Sequence, residues 1–376
     1  MTDLVSREAA ANQRITEEAE GGASRTPRQL AWRQLRKNRF AMVSLTILSA
    51  LYLAAIFAEF LAPYPVDMQR RSLNFHPPTP LIFHDDRGGL SIRPYISATQ
   101  GDADAGYKPV PGVREPVHFF VHGFPYRILW LIPSDIHLFG TRSRAPIFLF
   151  GSDDYGRDVF GRLLVGAQIS LSVGLVGIAI SFSLGMLIGG ISGYYGGRID
   201  NVLMRLTEVI TSIPDFYLLI ALAAVIPPTF SPAFTYLLII GILSFIGWAG
   251  LARVVRGMAL AARENQYVEA ARALGVNDLT IIRRHILPTT FTYAIVSATL
   301  TIPSYIIGEA SLSFLGLGIR EPMPSWGNML SSAQDLNILA HYTWLLTPGF
   351  FIFITVIAYN LLGDGLRDAL DPRLRR

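Results

Sequence analysis

The chain has 376 residues, 51% of them hydrophobic and 16% charged, against about 25% charged in an ordinary soluble domain. That balance is a membrane protein's, and a formal net charge of +4 is too small to argue for a nucleic-acid partner. Without cysteine, disulfides, thiol catalysis and thiolate metal sites are excluded.

Residues 1–26 are rich in Ala, Glu, Arg, Thr and Gly, lack an apolar period, and read as a disordered tail. Segment 27–66 opens with Arg28, Arg33, Arg36, Lys37 and Arg39 and runs into an apolar stretch from Phe40 to Ala62. This stretch exceeds the roughly 7–15-residue apolar core of a signal peptide and is expected to be a first transmembrane helix. Residues 67–160 are polar, aromatic and proline-rich, with no run of about 20 apolar residues, and form an external insert. Strand-like pieces at Val117–Val121 and Tyr126–Ile132 predict a β-rich or mixed subdomain. Five of the seven histidines lie in the insert, with His118 and His122 four apart. A metal site would want that spacing on a helix, whereas the residues between them are strand-like, so no metal site is expected.

The insert ends in Gly151-Ser152-Asp153-Asp154-Tyr155-Gly156-Arg157-Asp158. Ser152 or Asp153 can cap the helix that follows, and Gly156 permits close backbone approach, which predicts a folded structural entrance at the external mouth.

Residues 161–376 read as a helical membrane domain. A second span is expected near Ile169–Ile191, with Gly185, Gly189, Gly193 and Gly197 forming a strip for close helix packing. A third starts near Leu206 and is kinked or effectively begun at Pro214. Pro227, Pro228 and Pro232 then divide one uncharged run into two helices joined by an external turn. The fifth span falls within Ile286–Gly308 and the sixth at Tyr342–Gly363, with Trp344 suited to an interface.

Between the fourth and fifth spans lies Tyr267–Pro288, YVEAARALGVNDLTIIRRHILP. Glu269 to Leu274 favour or tolerate helix, Gly275 offers a left-handed C-cap, and Asn277 or Asp278 can cap a second short helix before Pro288. An ordered hairpin in place of a plain loop is expected to dock a partner. Small Ala270 and Ala271 would let the helix sit close to that partner, to which Glu269 offers a carboxylate. A side chain at Gly275 would be strained and would fill the space between the helices. Lys and Arg concentrate in this loop, before span one, after span two and at the C-terminus, while the two short external loops hold only Arg320. Both termini and the hairpin are therefore expected to be cytoplasmic.

Glu269-Ala270-Ala271, Gly275 four residues after Ala271, and Leu287-Pro288 twelve residues beyond resemble the "EAA" loop of importer permeases driven by ATP-binding-cassette subunits. His285 stands where isoleucine is frequent in the wider family, as is usual in the peptide-importer branch. The 151–158 block resembles a motif of peptide and nickel permeases, as do the Gly196-Gly197-Arg198 turn, Ser313–Gly318, Pro324–Gly327 and the C-terminal ending. The insert, roughly Arg70–Ala145, is longer than is general in that family.

The resemblance implies an all-α integral membrane fold of six transmembrane helices, with Glu269, Ala270, Ala271, Arg272, Gly275, Leu287 and Pro288 in the ATPase-coupling element. It implies a bacterial cytoplasmic-membrane permease moving di- or oligopeptides by alternating access. Its partners would be a second permease, two ATP-binding subunits that hold ATP and Mg, and an external solute-binding protein. No P-loop is present, since neither lysine, Lys37 or Lys108, follows glycine, so no catalytic role is expected here. A nickel or other small-solute permease is the nearest alternative. An ion-coupled transporter is disfavoured because Glu59, Glu208, Asp215 and Glu309 fall near predicted span ends. A membrane enzyme is disfavoured by the lack of HExxH and GxSxG motifs.

Overall fold

The structure, a computed structural model, describes residues 27–84, 89–103, 105–128, 131–142 and 145–371; the expected tail, 1–26, lies outside them. Helix α1 (Pro27–Lys37) precedes α2 (Arg39–Ile56), whose first turn is capped by Asn38 accepting the Ala41 amide at 3.1 Å. The first span breaks at Phe57 and resumes as a single turn, α3 (Ala58–Leu61). The long α4 (Val159–Tyr195) leads to α5 (Gly197–Thr211) and α6 (Asp215–Ala224). Then come α7 (Pro232–Arg263), α8 (Gln266–Ala273), α9 (Asp278–Ile281), a π-helical turn (Ile282–Ile286) and α10 (Leu287–Phe314). The chain closes with α11 (Trp326–Met329), α12 (Leu336–His341) and α13 (Thr347–Leu370).

Five helical stretches among the described residues are long and apolar enough to cross a membrane, and α5 with α6 makes a sixth candidate bent by 81°. The bend is where Pro214 was expected to act, but it is a full break: Ser212–Pro214 are non-helical, and the 10-residue α6 spans only about 15 Å, half of a ~30 Å hydrocarbon core. Three spans also run further than expected, α4 reaching Val159–Tyr195 where Ile169–Ile191 was expected. Helix α10 continues past Gly308 to Phe314, so Glu309 lies inside it, fully buried, accepting the hydroxyls of Ser170 at 3.0 Å and Ser313 at 2.7 Å. Helix α13 passes through Gly363 and Gly365, where a Cβ would meet Leu300 at 2.4 Å and Ala41 at 2.3 Å. Only small residues fit there, because other helices press on the backbone.

Helix α4 is the axis of the bundle, packed by glycines on two faces. Cβ atoms at Gly185, Gly189 and Gly193 would lie 3.0, 2.5 and 2.6 Å from α7 atoms, and at Gly174 and Gly177 2.9 Å from Ile302 and Tyr305 of α10. Gly197, the fourth member of the expected strip, opens α5 after the turn at Gly196 and faces open space. Beside that turn Asp200 pairs with Arg256 of α7 at 2.5 Å and accepts the Ser192 hydroxyl, which fixes α5 to α4 and α7.

The insert folds as two antiparallel units: β1 (Ile82–His84), β2 (Leu90–Gln100) and β3 (Lys108–Pro116) in that order, and a hairpin of β4 (His118–Ile128) and β5 (Ile132–Gly140). Ile96, Val117, Phe139 and Ile147 form its core, against which Phe160 of α4 packs. The buried His137 ring bridges the carbonyls of Glu59 (2.8 Å) and Phe124 (3.0 Å), tying the hairpin to α3. His118 and His122 lie on β4, and His122 faces Asp135 at 3.0 Å. Among the described residues no three His, Asp or Glu gather as a metal centre. The bundle thus has an insert end and, at the opposite end of α4, α7 and α10, a hairpin end.

Candidate functional site

At the hairpin end α8 stops because the chain turns left-handed at Gly275 (φ +75°), with the Gly275 and Val276 amides donating to Arg272 and Ala271 carbonyls at 2.9 and 3.1 Å. The Asn277 side chain then caps α9 by accepting the Leu279 amide at 2.9 Å. One face of the hairpin is a small core in which Val268, Ala271, Ile281, Ile282 and Ile286 close on Tyr194 and Ala259. Arg272 donates to the Tyr194 hydroxyl at 3.2 Å and lies over its ring, and that hydroxyl donates to Asp278 at 2.6 Å, so the end of α4 grips both short helices. Leu287 packs over Gly190 of α4, and Pro288 stands exposed in the first turn of α10.

Two expectations for the hairpin are corrected. Ala271 is buried in the hairpin's own core and contributes to its fold, leaving Glu269 and Ala270 as the exposed members of the triplet. A Cβ on Gly275 would meet nothing within 4 Å, so only its backbone angle requires glycine. Sequence reasoning missed Leu274, 83% exposed, and Leu279, 59% exposed. Leu274, the last right-handed residue before the Gly275 turn, lies off the Val268–Ala271 face, which leaves it exposed.

At the insert end the 151–158 block folds against residues 70–79. A Cβ on Gly156 (φ +71°) would lie 1.9 Å from the Arg70 carbonyl oxygen, and one on Gly151 (φ +78°) 2.6 Å from Trp344 Nε1. Ser152 donates its hydroxyl to the Leu73 carbonyl (2.5 Å), accepts the His76 amide (2.8 Å), and offers its carbonyl to Trp344 Nε1 (3.0 Å). Asp153 accepts the Tyr155 and Arg157 amides at 3.0 and 2.9 Å and Arg157 Nε at 2.7 Å. With Ser152 and Asp153 so engaged, Asp158 is the residue that caps α4, accepting the Gly161 amide at 2.8 Å.

Arg157 and Arg162 converge on Glu321, at 2.9 and 2.6 Å, and Arg162 is 1% exposed. Burial pushes the Asp158 carboxyl up to about 7. Trp326, in the Pro324–Gly327 segment for which no packing role was expected, is wholly buried between α4 and α10, donating its ring N–H to the Leu163 carbonyl at 3.1 Å. The polar groups of this block are engaged with one another and with residues 70–79, 161, 321 and 344, which makes it a clasp between segments of the chain.

The profile described as "Binding-protein-dependent transport system inner membrane component" matches residues 185–376, and "N-terminal TM domain of oligopeptide transport permease C" matches residues 26–78. Over 348 residues the chain is 36% identical to the dipeptide transport system permease protein DppC of Bacillus subtilis, covering 93% of this chain and 86% of that protein. Its identity to the oligopeptide transport system permease protein OppC of Bacillus subtilis is 41% over 228 residues, covering 60% and 72% of the two chains. The glutathione transport system permease protein GsiD of Escherichia coli O6:K15:H31 is 35% identical over 352 residues, covering 93% and 92%.

Proposed function

The chain belongs to the family of binding-protein-dependent transport system inner membrane components, and we propose that it is the permease subunit through which di- or oligopeptides cross a bacterial cytoplasmic membrane by alternating access. It is a non-catalytic membrane subunit. Two separate ATP-binding subunits, carrying ATP and its magnesium ion, dock on the hairpin; a second permease completes the path, and an external binding protein delivers the peptide at the insert end. Both termini and the hairpin lie in the cytoplasm, in keeping with the basic residues that flank the spans there.

The observation that carries this reading is how the hairpin is presented. Its buried face is fastened to α4 and α7 through Tyr194 and Ala259, while Glu269, Ala270, Leu274 and Leu279 face outward. Two exposed leucines on an otherwise polar tip form an anchor for a partner's cleft, and burial of each is worth about 1.5–3 kcal/mol. Because α9 continues through the π-helical turn into α10, a push on the hairpin is delivered along a membrane-length helix.

The test is to purify the complex from its native host through a tag on this chain and to measure retained ATP-binding subunits and dipeptide uptake in proteoliposomes. Leu274→Asp should remain inserted yet lose at least tenfold in both. Normal subunit retention in Leu274→Asp and Leu279→Asp would remove the docking role, and a native complex that hydrolyses ATP without importing peptide would remove the substrate.

A further inference from the structure

Two cavities open side by side along α10 and share Tyr293, Ser297 and Thr301. The narrower, about 190 Å³, lies between α4, α7 and α10. The wider, about 550 Å³, extends to the hairpin end, where Thr289 and Arg367 line it; it has the size of an ordinary ligand site. Thr289, Tyr293, Ser297 and Thr301 recur every four residues and so share one face of α10. Exposed Phe291 and Ile295 fall about 200° around the helix from Tyr293. Both are apolar, as lipid requires, whereas hydroxyls without a partner in the helix, those of Tyr293 and Ser297, would be unfavourable in hydrocarbon because lipid offers them none.

The row is also open for contact. Thr289 and Thr301 return their hydroxyls to carbonyls of Ile286 and Ser297 at 2.7 Å, while those of Tyr293 and Ser297 make no hydrogen bond within the described residues. Across the narrower cavity α7 presents Gly247 and Gly250, and a Cβ on Gly250 would meet no atom within 4 Å. Along the spans the lining is uncharged; Arg367 and Asp371, of opposite sign, appear only in the wider cavity.

We infer that this groove is the wall along which the peptide moves, and that it recognises the peptide's backbone amides in preference to charged side chains or termini. A hydroxyl both donates and accepts, matching an amide N–H or C=O alike, and a neutral lining neither traps nor repels one class of side chain. Weak, repeated sites of this kind let a substrate enter and leave. The inference rests on the proposed transport of peptides and names the residues of this chain that meet the cargo.

The chain contains no cysteine, so a thiol introduced at one position is unique within it. Ser297→Cys and Thr301→Cys test the groove, and Ile295→Cys reports the lipid-facing side. In the assembled complex in proteoliposomes, a water-soluble cationic thiol reagent should modify the first two at least tenfold faster than the third, read as a mass change of this chain. Saturating dipeptide should slow the first two several-fold. Equal rates at the three positions, or indifference to dipeptide, would overturn the assignment. Tyr293→Phe should lower uptake of acidic, neutral and basic dipeptides by the same several-fold factor with the ATP-binding subunits retained; a loss confined to one charge class would overturn backbone recognition. A native complex that imports dipeptide while the thiols ignore it refutes the groove alone, and one that imports none refutes the transport reading and the groove with it.

Discussion

The two ends of the bundle each carry a glycine-containing motif and use it in opposite ways. At the insert end Asp153, Arg157 and Arg162 are buried and mutually engaged, with Glu321 closing the set. At the hairpin end Glu269, Ala270, Leu274 and Leu279 are turned out. The glycines differ in the same sense, since Gly156 is hemmed in by the Arg70 carbonyl while Gly275 has open space. A motif whose groups are engaged internally holds a fold, and one whose groups face outward is free to meet the proposed partner. A functional reading of either motif therefore turns on burial more than on residue type.

The sharpest way to break the comparison is at Trp326, which is wholly buried at the insert end. Trp326→Ala removes a ring packed among Leu163, Leu171 and Ile306, at a cost of about 3–5 kcal/mol. The variant should fail to accumulate as folded membrane protein, measured as monodisperse yield in detergent. Accumulation at the native level would show that the insert-end segment is a mobile cover and not part of the core.

Next in size is a pair at the hairpin end. Ala271→Arg drives a charge into the hairpin's own core and should disorder it, read as rapid proteolysis between Arg263 and Arg284. Leu274→Asp should leave protease resistance within about 0.5 kcal/mol of native, so that only its hold on the ATP-binding subunits is lost. If both variants are cleaved alike, the hairpin has no separate inner and outer faces in function.

The order of apolar runs and breaks was legible in the sequence because hydrocarbon tests each residue singly. Pro227, Pro228 and Pro232 do fall in and beside the break between α6 and α7. The 81° bend between α5 and α6 was not legible: proline marks a break, but the packing of α5 on α7 sets its angle. Nor was the choice of cap. Ser152, Asp153 and Asp158 all carry suitable oxygens, and only the folded turn decides which one meets a free amide. Arg162 and Glu321 lie 159 residues apart, so no local pattern announces their pairing. Leu274 was missed for a different reason, since helix propensity located the helix and does not say which of its residues stay exposed.

A smaller effect separates the ends by pH. Burial raises the Asp158 carboxyl from its ordinary 3.8 to about 7, so between about pH 4 and 7 the folded chain keeps a proton that the unfolded chain has released. Stability contributed by this group therefore falls as pH rises through that window and is fully lost above it. The melting temperature in detergent should drop between pH 5 and 8, and less so in Asp158→Asn. Burial pushes His76 the other way, down from its ordinary value, but it is common to both proteins and cancels in the difference. Equal slopes would mean that water reaches the carboxyl.

The smallest predicted effect lies at Gly275, where the two kinds of glycine can be compared directly. Its φ of +75° is unfavourable for a β-branched residue, yet no atom lies within 4 Å of the site a Cβ would take. Gly275→Val should therefore cost roughly 1–2 kcal/mol of local backbone strain, and Gly275→Asn much less, because asparagine tolerates the left-handed region. At Gly156, with the Arg70 carbonyl oxygen 1.9 Å from that position, asparagine should be as damaging as valine. Measured as melting temperature and subunit retention, a ranking in which Asn rescues at 275 but not at 156 supports a conformational glycine at one end and a steric one at the other. Equal damage by Asn and Val at 275 would show that a partner subunit presses on the glycine itself, and would move the proposed docking surface from the leucines to the turn.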